Sequence, residues 1–374
     1  MLVFVAGFLF VLADAWKGLG TPATGPRRAH MEKSEEWRGG RFVNAQEIIN
    51  DWSRTFGSLF RVSPNLTPSR PVPLGTPDLS PPPSDGLRVT WLGHSSVLVE
   101  IDGARVLTDP LLSERASPVD WTGPKRWYPS PIPLEKLPPI DAVVISHDHY
   151  DHLDQRTIAR IKDWDTKFVV PLGVGADLAY WGVPASKIVE LDWWDVAPIG
   201  NLAIHLTPAR HASGRGVTDR DAKLWGGYML VGTNHRVYYS GDSGLFPGLR
   251  DVGIRFGPID LTMIEIGQYD AAWPDWHMGP EQAIMAHQMV QGRLFLPVHW
   301  GAIALASHGW TEPIERALAA ATNAGISIVT PKPGESFDPI HPPPPQQWWP
   351  SLPWKTAEED PIVSSQMNET SASH

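Results

Sequence analysis

The sequence predicts an α/β fold, and three of its features lead to that prediction. Short apolar runs rich in β-branched residues alternate with amphipathic helical segments from about residue 86 onward. Several of the predicted strands are followed directly by histidine or aspartate, and loops just past strand ends are where a rigid scaffold carries functional side chains. The chain has 374 residues, of which 42% are hydrophobic and 19% charged, so it can bury a large globular core.

The chain begins with an apolar run at residues 2–13, which ends in small residues as signal-peptide cleavage sites do. We therefore expect residues 1–30 to be a signal or membrane-anchor segment, and the protein to be exported or membrane-associated, on the periplasmic side if bacterial. The alternative is that Met31 is the true start, which would make the protein cytoplasmic. Residues 31–85 follow as a Pro-rich N-terminal arm that runs extended over the surface.

The predicted compact domain covers residues 86–338 and opens with antiparallel strands. These strands are predicted at residues 87–92, 96–101 and 105–107, and the last two are joined by a turn at Asp102-Gly103. Residues 111–139 are rich in Pro and Trp and too long for an ordinary connection, so they predict a functional loop near the site. A buried strand at residues 143–145 follows, and Asp154 is placed to cap a helix over residues 157–164.

The alternation of strands and helices continues to about residue 338. Further strands are predicted at residues 168–170, 188–191, 202–206, 237–239 and 294–296, with helices at 176–181, 280–290 and 311–321. From residue 339 onward the sequence is again Pro-rich and its end is rich in Ser and Thr, so a disordered tail is expected over residues 339–374.

Four potential metal ligands follow the strand at residues 143–145 within six residues. They are His147, His149, Asp151 and His152. The chain has no cysteine, so any metal must be held by histidine and carboxylate side chains, which suit zinc, with manganese or iron as alternatives. The competing interpretation is a polar loop whose histidines cap backbone groups.

Three later strands each end in one more potential ligand. Each of these residues alone is as consistent with a cap or a turn as with metal binding, and they are His211, Asp242 and His299. With the earlier four they make a full set for two ions. His147, His149 and His211 would hold one ion, Asp151, His152 and His299 would hold the other, and Asp242 would bridge them. A pair of Zn²⁺ ions, with Mn²⁺ or Fe as alternatives, is the expected cofactor.

The motifs around these residues resemble those of a known family. HDHYDH at residues 147–152, SGDSG around Asp242 and PVHWG around His299 are similar to the metallo-β-lactamase superfamily. The segments WLGHSSVLVEIDG, GPKRW, KLWGGY and IEIGQY narrow the resemblance to the N-acylphosphatidylethanolamine-hydrolysing phospholipase D family, over residues 91–301. The resemblance implies an αββα sandwich with the metals at one edge of the two sheets. It also implies that the same seven residues are ligands of a binuclear zinc site.

The resemblance implies roles for individual residues as well. Asp151, Asp242 and His277 would be catalytic, and Tyr150 and His277 would contact the substrate. The alternatives are a packing role for Tyr150 and an ordinary loop position for His277. His94 and Asp109 also match family positions, and we expect them to orient ligands or to close turns.

The function that the resemblance implies is phosphodiester hydrolysis of phospholipase D type. A binuclear metal-dependent enzyme would convert N-acylphosphatidylethanolamine-like phospholipids to N-acylethanolamine and phosphatidic acid, with the Trp-rich segment 111–139 at a membrane surface. The alternatives are a metal-dependent lactone or ester hydrolase on the same fold, and a non-enzymatic metal-bound or lipid-binding protein. A formal charge of −10 disfavours nucleic acid as a partner, and the sequence leaves a homodimer open.

Overall fold

Two β-sheets form the centre of the protein in the computed structural model, which describes residues 15–51, 62–83 and 85–367. The strands, numbered along the chain, are β1 Trp37–Arg38, β2 Arg41–Phe42, β3 Leu87–Trp91, β4 Val97–Ile101, β5 Ala104–Thr108, β6 Ala142–Val144, β7 Lys167–Pro171, β8 Ile188–Leu191, β9 Val196–Ile199, β10 Leu202–Thr207, β11 Gly227–Val231, β12 Arg236–Tyr239, β13 Ile259–Glu265, β14 Gly292–Val298, β15 Ser327–Ile328 and β16 Ser336–Phe337. The first large sheet has the order β16-β3-β4-β5-β6-β7-β8, and the second has the order β15-β14-β13-β12-β11-β10-β9.

The helices are short and lie between the strands. They are α1 Gly25–Met31, α2 Gln155–Ile161, α3 Gly175–Tyr180, α4 Leu249–Phe256, α5 Pro280–Met289 and α6 Glu312–Ala324, with 3₁₀ turns at Leu134–Lys136 and Ala185–Lys187. Asp154 caps α2 as predicted, because its side chain accepts a hydrogen bond from the backbone N–H of Arg156. The predicted strands and helices are present to within a few residues. Strands β1, β2, β9, β11, β13, β15 and β16 and helices α1 and α4 were not predicted from the sequence.

Alternating side chains of the first sheet separate two hydrophobic layers. In β4, Val97 and Val99 enter the large core between the two sheets, whereas Leu98 points to the opposite face. On that outer face it belongs to the same cluster as Ile158 and Ile161 of α2. Helices α5 and α4 pack together, and α5 contacts β13 and β14 of the second sheet. Helices therefore cover both sheets, and the predicted αββα sandwich is confirmed.

Three of the four strands that precede the candidate ligands pair in parallel with at least one neighbour, whereas β10, which precedes His211, is antiparallel to both of its neighbours. β6 pairs in parallel with β5 and β7, and β12, β13 and β14 pair in parallel with one another. The carboxyl ends of parallel strands lie at the same edge of a sheet. The loops after β6, β12 and β14 therefore meet at one edge of the sandwich.

The expectation that the protein is exported or membrane-associated is wrong on the structural evidence. None of the helices within residues 15–51, 62–83 and 85–367 has the length and apolar character needed to cross a bilayer. The apolar run at residues 2–13, on which the expectation rested, lies outside the described residues. The localisation inferred from that run is therefore withdrawn.

The two Pro-rich segments are extended, and both are attached to the sandwich. In the N-terminal arm Phe42 is buried, and the backbone N–H of Gly75 donates to the carbonyl of Pro333 over 2.9 Å. Disorder after residue 339 was expected from composition, but the segment up to Met367 is anchored to the rest of the protein at individual side chains, of which Trp349 and Ser364 are buried. Trp348 stacks on Trp300 with ring centroids 5.4 Å apart. Aromatic packing fixes a segment that proline keeps out of regular secondary structure, so the expectation of disorder is corrected for residues 339–367.

Candidate metal centre

The loop after β6 carries the first group of candidate ligands, and it is anchored at its start. Asp109, at the end of β5, accepts a hydrogen bond from the backbone N–H of Ser146 over 2.7 Å. The carbonyl of His149 accepts hydrogen bonds from the N–H groups of His152 and Leu153, at 3.1 and 2.8 Å. This tight turn lets neighbouring side chains of one short loop point in different directions.

His147, His149 and His211 lie together, and we call them the three-histidine cluster. His147 Nε2 is 2.9 Å from His149 Nδ1, which is 3.3 Å from His211 Nε2. One nitrogen of each ring lies within 4.8 Å of the others. The structure therefore brings a residue that follows β10 to two residues that follow β6.

Asp151, His152 and His299 lie beside that cluster, and we call them the Asp-His cluster. Asp151 Oδ2 is 3.2 Å from His152 Nε2 and 3.4 Å from His299 Nε2. His94 joins this group, because its Nε2 is 2.9 Å from the same carboxylate oxygen. The sequence predicted a supporting position for His94, and the contact with Asp151 fits that position.

Asp242 lies between the two clusters. Its Oδ2 is 3.1 Å from His152 Nε2 and 3.2 Å from His299 Nε2 in the Asp-His cluster. On the other side the same oxygen is 3.8 Å from His147 Nε2 and 3.9 Å from His211 Nε2. All seven side chains that the sequence singled out therefore converge on one small volume, with Asp242 in the central position.

The spacing of these atoms fits divalent metal ions. Ligand nitrogens at about 2.0–2.1 Å from a tetrahedral zinc lie roughly 3.3 Å from one another. The distances of 2.9 and 3.3 Å in the three-histidine cluster lie around that value. Asp242 Oδ1 and His152 Nε2 are also buried without an acceptable hydrogen bond. Buried polar atoms left without partners are consistent with a site that an ion completes.

In four of the candidate histidine ligands, the ring nitrogen Nδ1 contacts a neighbouring polar group. Each of these contacts fixes the orientation of the ring and the nitrogen that carries the proton. The pairs are His147 Nδ1 with Ser146 Oγ at 2.9 Å, His152 Nδ1 with Asp109 Oδ2 at 2.7 Å, His211 Nδ1 with the Trp276 carbonyl at 3.0 Å, and His299 Nδ1 with the Gly267 carbonyl at 3.3 Å. These contacts leave Nε2 of each ring to face the centre of the site.

Charge differs between the two clusters. Burial lowers the pKa of His147 and of His211 well below the usual value, so both rings are neutral, the form that binds metal. Burial acts in the same direction on His299, but the carboxylates of Asp242 and Asp151 outweigh it and raise its pKa to about 10. The pKa of His152 is raised well above its usual value for the same reason. The Asp-His cluster therefore attracts positive charge more strongly than the three-histidine cluster does.

His277 lies beside Asp242, is partly buried and is paired with a residue that the sequence did not reveal. Its Nδ1 is 2.7 Å from Glu265 Oε2 and 3.8 Å from Asp242 Oδ2. Glu265 is fully buried and is the last residue of β13, a strand that was not predicted. A carboxylate held against one ring nitrogen orients the histidine and leaves Nε2 available to a ligand.

Tyr150 is half-buried beside the three-histidine cluster. Its hydroxyl donates to the carbonyl of Arg215 over 2.5 Å, and the guanidinium of Arg215 lies 4.2 Å from the ring centroid. The ring also packs against a small apolar cluster that includes Leu111 and Ile303. The hydroxyl is therefore engaged, and the ring is the part of Tyr150 that can meet another molecule.

Asn44 of the N-terminal arm also supports the site. Its side chain donates to the carbonyl of His211 over 2.7 Å and accepts from the N–H of His211 over 3.0 Å. The two residues are separated by 167 positions, and no motif in the sequence links them. Sequence reasoning therefore had no signal for this contact.

Comparison with known proteins gives the class first. An αββα sandwich with His and Asp clusters at one edge is found among metal-dependent hydrolases. A solved structure of Igni18, a metallo hydrolase from the archaeon Ignicoccus hospitalis, matches with a TM-score of 0.52 at 23% identity, over 67% of this chain and 97% of that one. At this identity the match shows the fold alone.

The family follows from the sequence comparisons. The model described as the beta-lactamase superfamily domain matches residues 104–300, and the chain belongs to the metallo-β-lactamase superfamily. An uncharacterized protein of Mycobacterium tuberculosis is 43% identical over 366 residues, which are 93% of this chain and 98% of that protein. A Caenorhabditis elegans protein named N-acyl-phosphatidylethanolamine-hydrolyzing phospholipase D 1 is 38% identical over 228 residues, 58% of this chain and 64% of the relative. The chain is thus a metal-dependent hydrolase of the metallo-β-lactamase fold.

Proposed function

We propose that the protein is a binuclear metal-dependent phosphodiesterase of phospholipase D type. Its substrates would be N-acylphosphatidylethanolamine-like phospholipids, and its products would be an N-acylethanolamine and phosphatidic acid. The observation that carries the proposal is the position of Asp242, whose Oδ2 is 3.1 Å from His152 Nε2 and 3.8 Å from His147 Nε2. A carboxylate that lies between the two clusters would allow the site to hold two ions close to one phosphate group.

The ligand assignment in this proposal follows the two clusters. The three-histidine cluster would hold one ion and the Asp-His cluster would hold the other, with Asp242 placed to contribute to both, and the metal we propose is zinc. Two divalent ions bound there would lower the pKa of water and would neutralise negative charge on an anionic phosphodiester. The burial of the ligands keeps bulk water away from these charges and strengthens the interaction with the substrate.

His277 is the residue that we propose for proton movement. Glu265 accepts a hydrogen bond from its Nδ1, which fixes the ring with Nε2 directed away from the carboxylate. Since His277 is half-buried, its Nε2 can be reached by a bound phosphodiester. In the proposal this nitrogen holds or delivers the proton that the departing ethanolamine oxygen requires.

Tyr150 and the segment 111–139 supply the apolar contact in the proposal. Leu111, Ala116 and Ile303 form a buried cluster against the Tyr150 ring. An acyl or glycerol portion of a phospholipid would lie against the half-buried Tyr150 ring, which this cluster supports from behind, while its phosphate faces the two ligand clusters. The name of the C. elegans relative supports the choice of lipid, and its partial coverage is why this remains a proposal.

One assay on the purified protein tests the proposal. Three substrates would be compared, each with and without a chelator: an N-acyl phospholipid, a bis-aryl phosphodiester and a lactone. We expect chelator-sensitive release of N-acylethanolamine from the first and cleavage of the second. Chelator-sensitive activity on the lactone alone would overturn the proposal in favour of a lactone or ester hydrolase. No metal-dependent hydrolysis of any of the three would overturn it as well.

A further inference from the structure

We propose that Lys223 is a positioning residue that sets the geometry of the three-histidine cluster through its ion pair with Asp148. The inference deepens the proposed function and rests on it, since it takes this cluster to be a metal site. Lys223 lies 12 positions after His211 and outside the seven candidate ligands. Its amino group touches none of the ligating nitrogens, so its influence on the metal is indirect and passes through Asp148 and the Lys223 backbone.

Lys223 is buried between two carboxylates. Only 3% of the residue is exposed, and its Nζ is 2.5 Å from Asp177 Oδ2 and 3.2 Å from Asp148 Oδ2. Asp177 belongs to the first turn of α3, which fixes one end of the arrangement. A buried cation between two buried carboxylates is costly to disrupt, because removal of the cation leaves two uncompensated charges.

Asp148 joins the two chain segments that carry the three histidines. It lies between His147 and His149, and its Oδ1 accepts a hydrogen bond from the backbone N–H of Gly214 over 2.7 Å. Gly214 is three positions after His211. The side chain of Asp148 therefore fixes the distance between the loop after β6 and the loop after β10, which together supply all three rings.

Ser213 ties Lys223 to the same segment. Its hydroxyl donates to the carbonyl of Lys223 over 2.6 Å and accepts from the N–H of Lys223 over 3.2 Å. Ser213 is two positions after His211, so the position of the lysine backbone is coupled to that ligand. A closed ring of contacts results, running from Asp148 to Gly214, Ser213 and Lys223 and back to Asp148.

The Asp-His cluster has a different support. Asp109 contacts His152 Nδ1 directly over 2.7 Å, whereas the amino group of Lys223 pairs with Asp148 and Asp177 and not with the Asp-His cluster. A change at Lys223 should therefore act on one cluster and spare the other. This selectivity distinguishes a positioning role from a general contribution to the stability of the fold.

The test measures metal binding by the full-length chain in chelator competition, with release of the two ions followed separately. The variants His149→Ala and His299→Ala identify which release step belongs to which cluster. We expect Lys223→Met to weaken metal binding at the three-histidine cluster about 10–100-fold, the range known for partners of metal ligands, and to leave the other step nearly unchanged. Lys223→Arg keeps the charge and should restore part of the affinity.

Two further variants provide a milder change in the same ring of contacts and a control at a distant buried ion pair. Ser213→Ala removes one contact of the ring, leaves no buried charge and should weaken the same step by a smaller factor. Arg316→Met is the matched control, because Arg316 is buried and pairs with Glu281 Oε2 over 2.8 Å between α5 and α6. It should lower stability without a preference for either metal. Equal weakening of both steps by Lys223→Met, or no weakening at all, would overturn the inference. Failure of the wild-type chain to bind two metals would overturn the proposed function as well.

Discussion

Both halves of the candidate metal centre contain buried histidines, and yet the two halves differ in charge. In the three-histidine cluster burial lowers the pKa of His147 and of His211. In the Asp-His cluster the carboxylates of Asp151 and Asp242 outweigh burial and raise the pKa of His299 to about 10. Burial is common to all of these histidines, so the difference comes from the carboxylates. We expect the Asp-His cluster to hold its metal more tightly, because it carries more negative charge.

His287, in helix α5, shows the effect of burial without any carboxylate. Its ring is buried near Phe295, its Nδ1 is 2.7 Å from Thr262 Oγ1, and burial lowers its pKa to about 4. It therefore behaves as the histidines of the three-histidine cluster do, although it lies outside the site. Burial alone is enough to lower the pKa of a histidine in the three-histidine cluster. The raised pKa values in the Asp-His cluster depend on the carboxylates of Asp151 and Asp242.

The largest expected effect comes from the residue that the two halves share. Asp242→Asn should retain the fold, lose about one metal per chain and lower activity by on the order of 10²–10³-fold, because an amide bridges two cations poorly and stabilises less charge. Elemental analysis and turnover on the best substrate of the three-substrate assay would be measured together. Full activity with both metals present would contradict the central position given to Asp242.

His277→Ala should lower activity without changing the metal content of either cluster. We expect turnover to fall about 10²-fold, as for the loss of a group that transfers a proton, with metal content unchanged. His205→Ala is the matched control, because His205 is a partly exposed histidine of β10 that packs on Phe256 outside the site. An equal loss of metal and activity in His277→Ala would show that the residue is structural.

Asp109→Asn should weaken one half alone. Asp109 Oδ2 is 2.7 Å from His152 Nδ1, and its negative charge makes the ring a stronger ligand. We expect metal affinity at the Asp-His cluster to fall about 10–100-fold while the three-histidine cluster keeps its ion. Asp102→Asn is the control, since Asp102 makes the same kind of contact with His235, also over 2.7 Å, far along the chain from the ligands. A uniform loss at both clusters would remove the distinction between them.

The smallest expected effect is on the pH dependence of the unfolding free energy, and it comes from His287, the buried histidine outside the site. Its folded pKa of about 4 lies below the unfolded value, so its contribution to stability is complete above pH 6.5 and is lost as the pH falls toward 4. Wild type should lose about 2 kcal/mol of unfolding free energy more than His287→Gln between pH 7 and pH 5. Urea unfolding at both pH values measures the difference. Parallel pH profiles for the two proteins would show that burial alone does not keep this ring neutral.

Much of the architecture could be predicted because its signals are local. Runs such as Val143–Ile145 reveal a buried strand, and His147 to His152 follow within a few residues, so spacing alone suggested a metal-binding loop. Strands β9, β11 and β13 escaped prediction. β9 contains a proline, so its identity as a strand comes from pairing with β10. β13 does alternate apolar and polar residues over its first five positions, so a usable local signal was missed there.

The two wrong expectations had a common physical cause. Composition predicted a disordered tail after residue 339, but Trp348 stacks on Trp300 and holds that segment to the core. Composition also led to the localisation that the structure does not support, since none of the helices found in the described parts of the chain could span a bilayer. Composition describes what a segment can do alone, and for residues 339–367 the contacts with distant residues decide what the segment does.

By itself the sequence determined the fold class, the absence of cysteine ligands and the identities of the seven side chains that meet at the edge of the sandwich. Only the tertiary structure decided which carboxylates lie behind which rings. Asn44 meets His211 across 167 positions, Glu265 reaches His277 from an unpredicted strand, and Lys223 joins Asp148 from a separate loop. The reason is that charge and hydrogen bonding act over a few ångströms in space, and distance along the chain carries no information about such contacts.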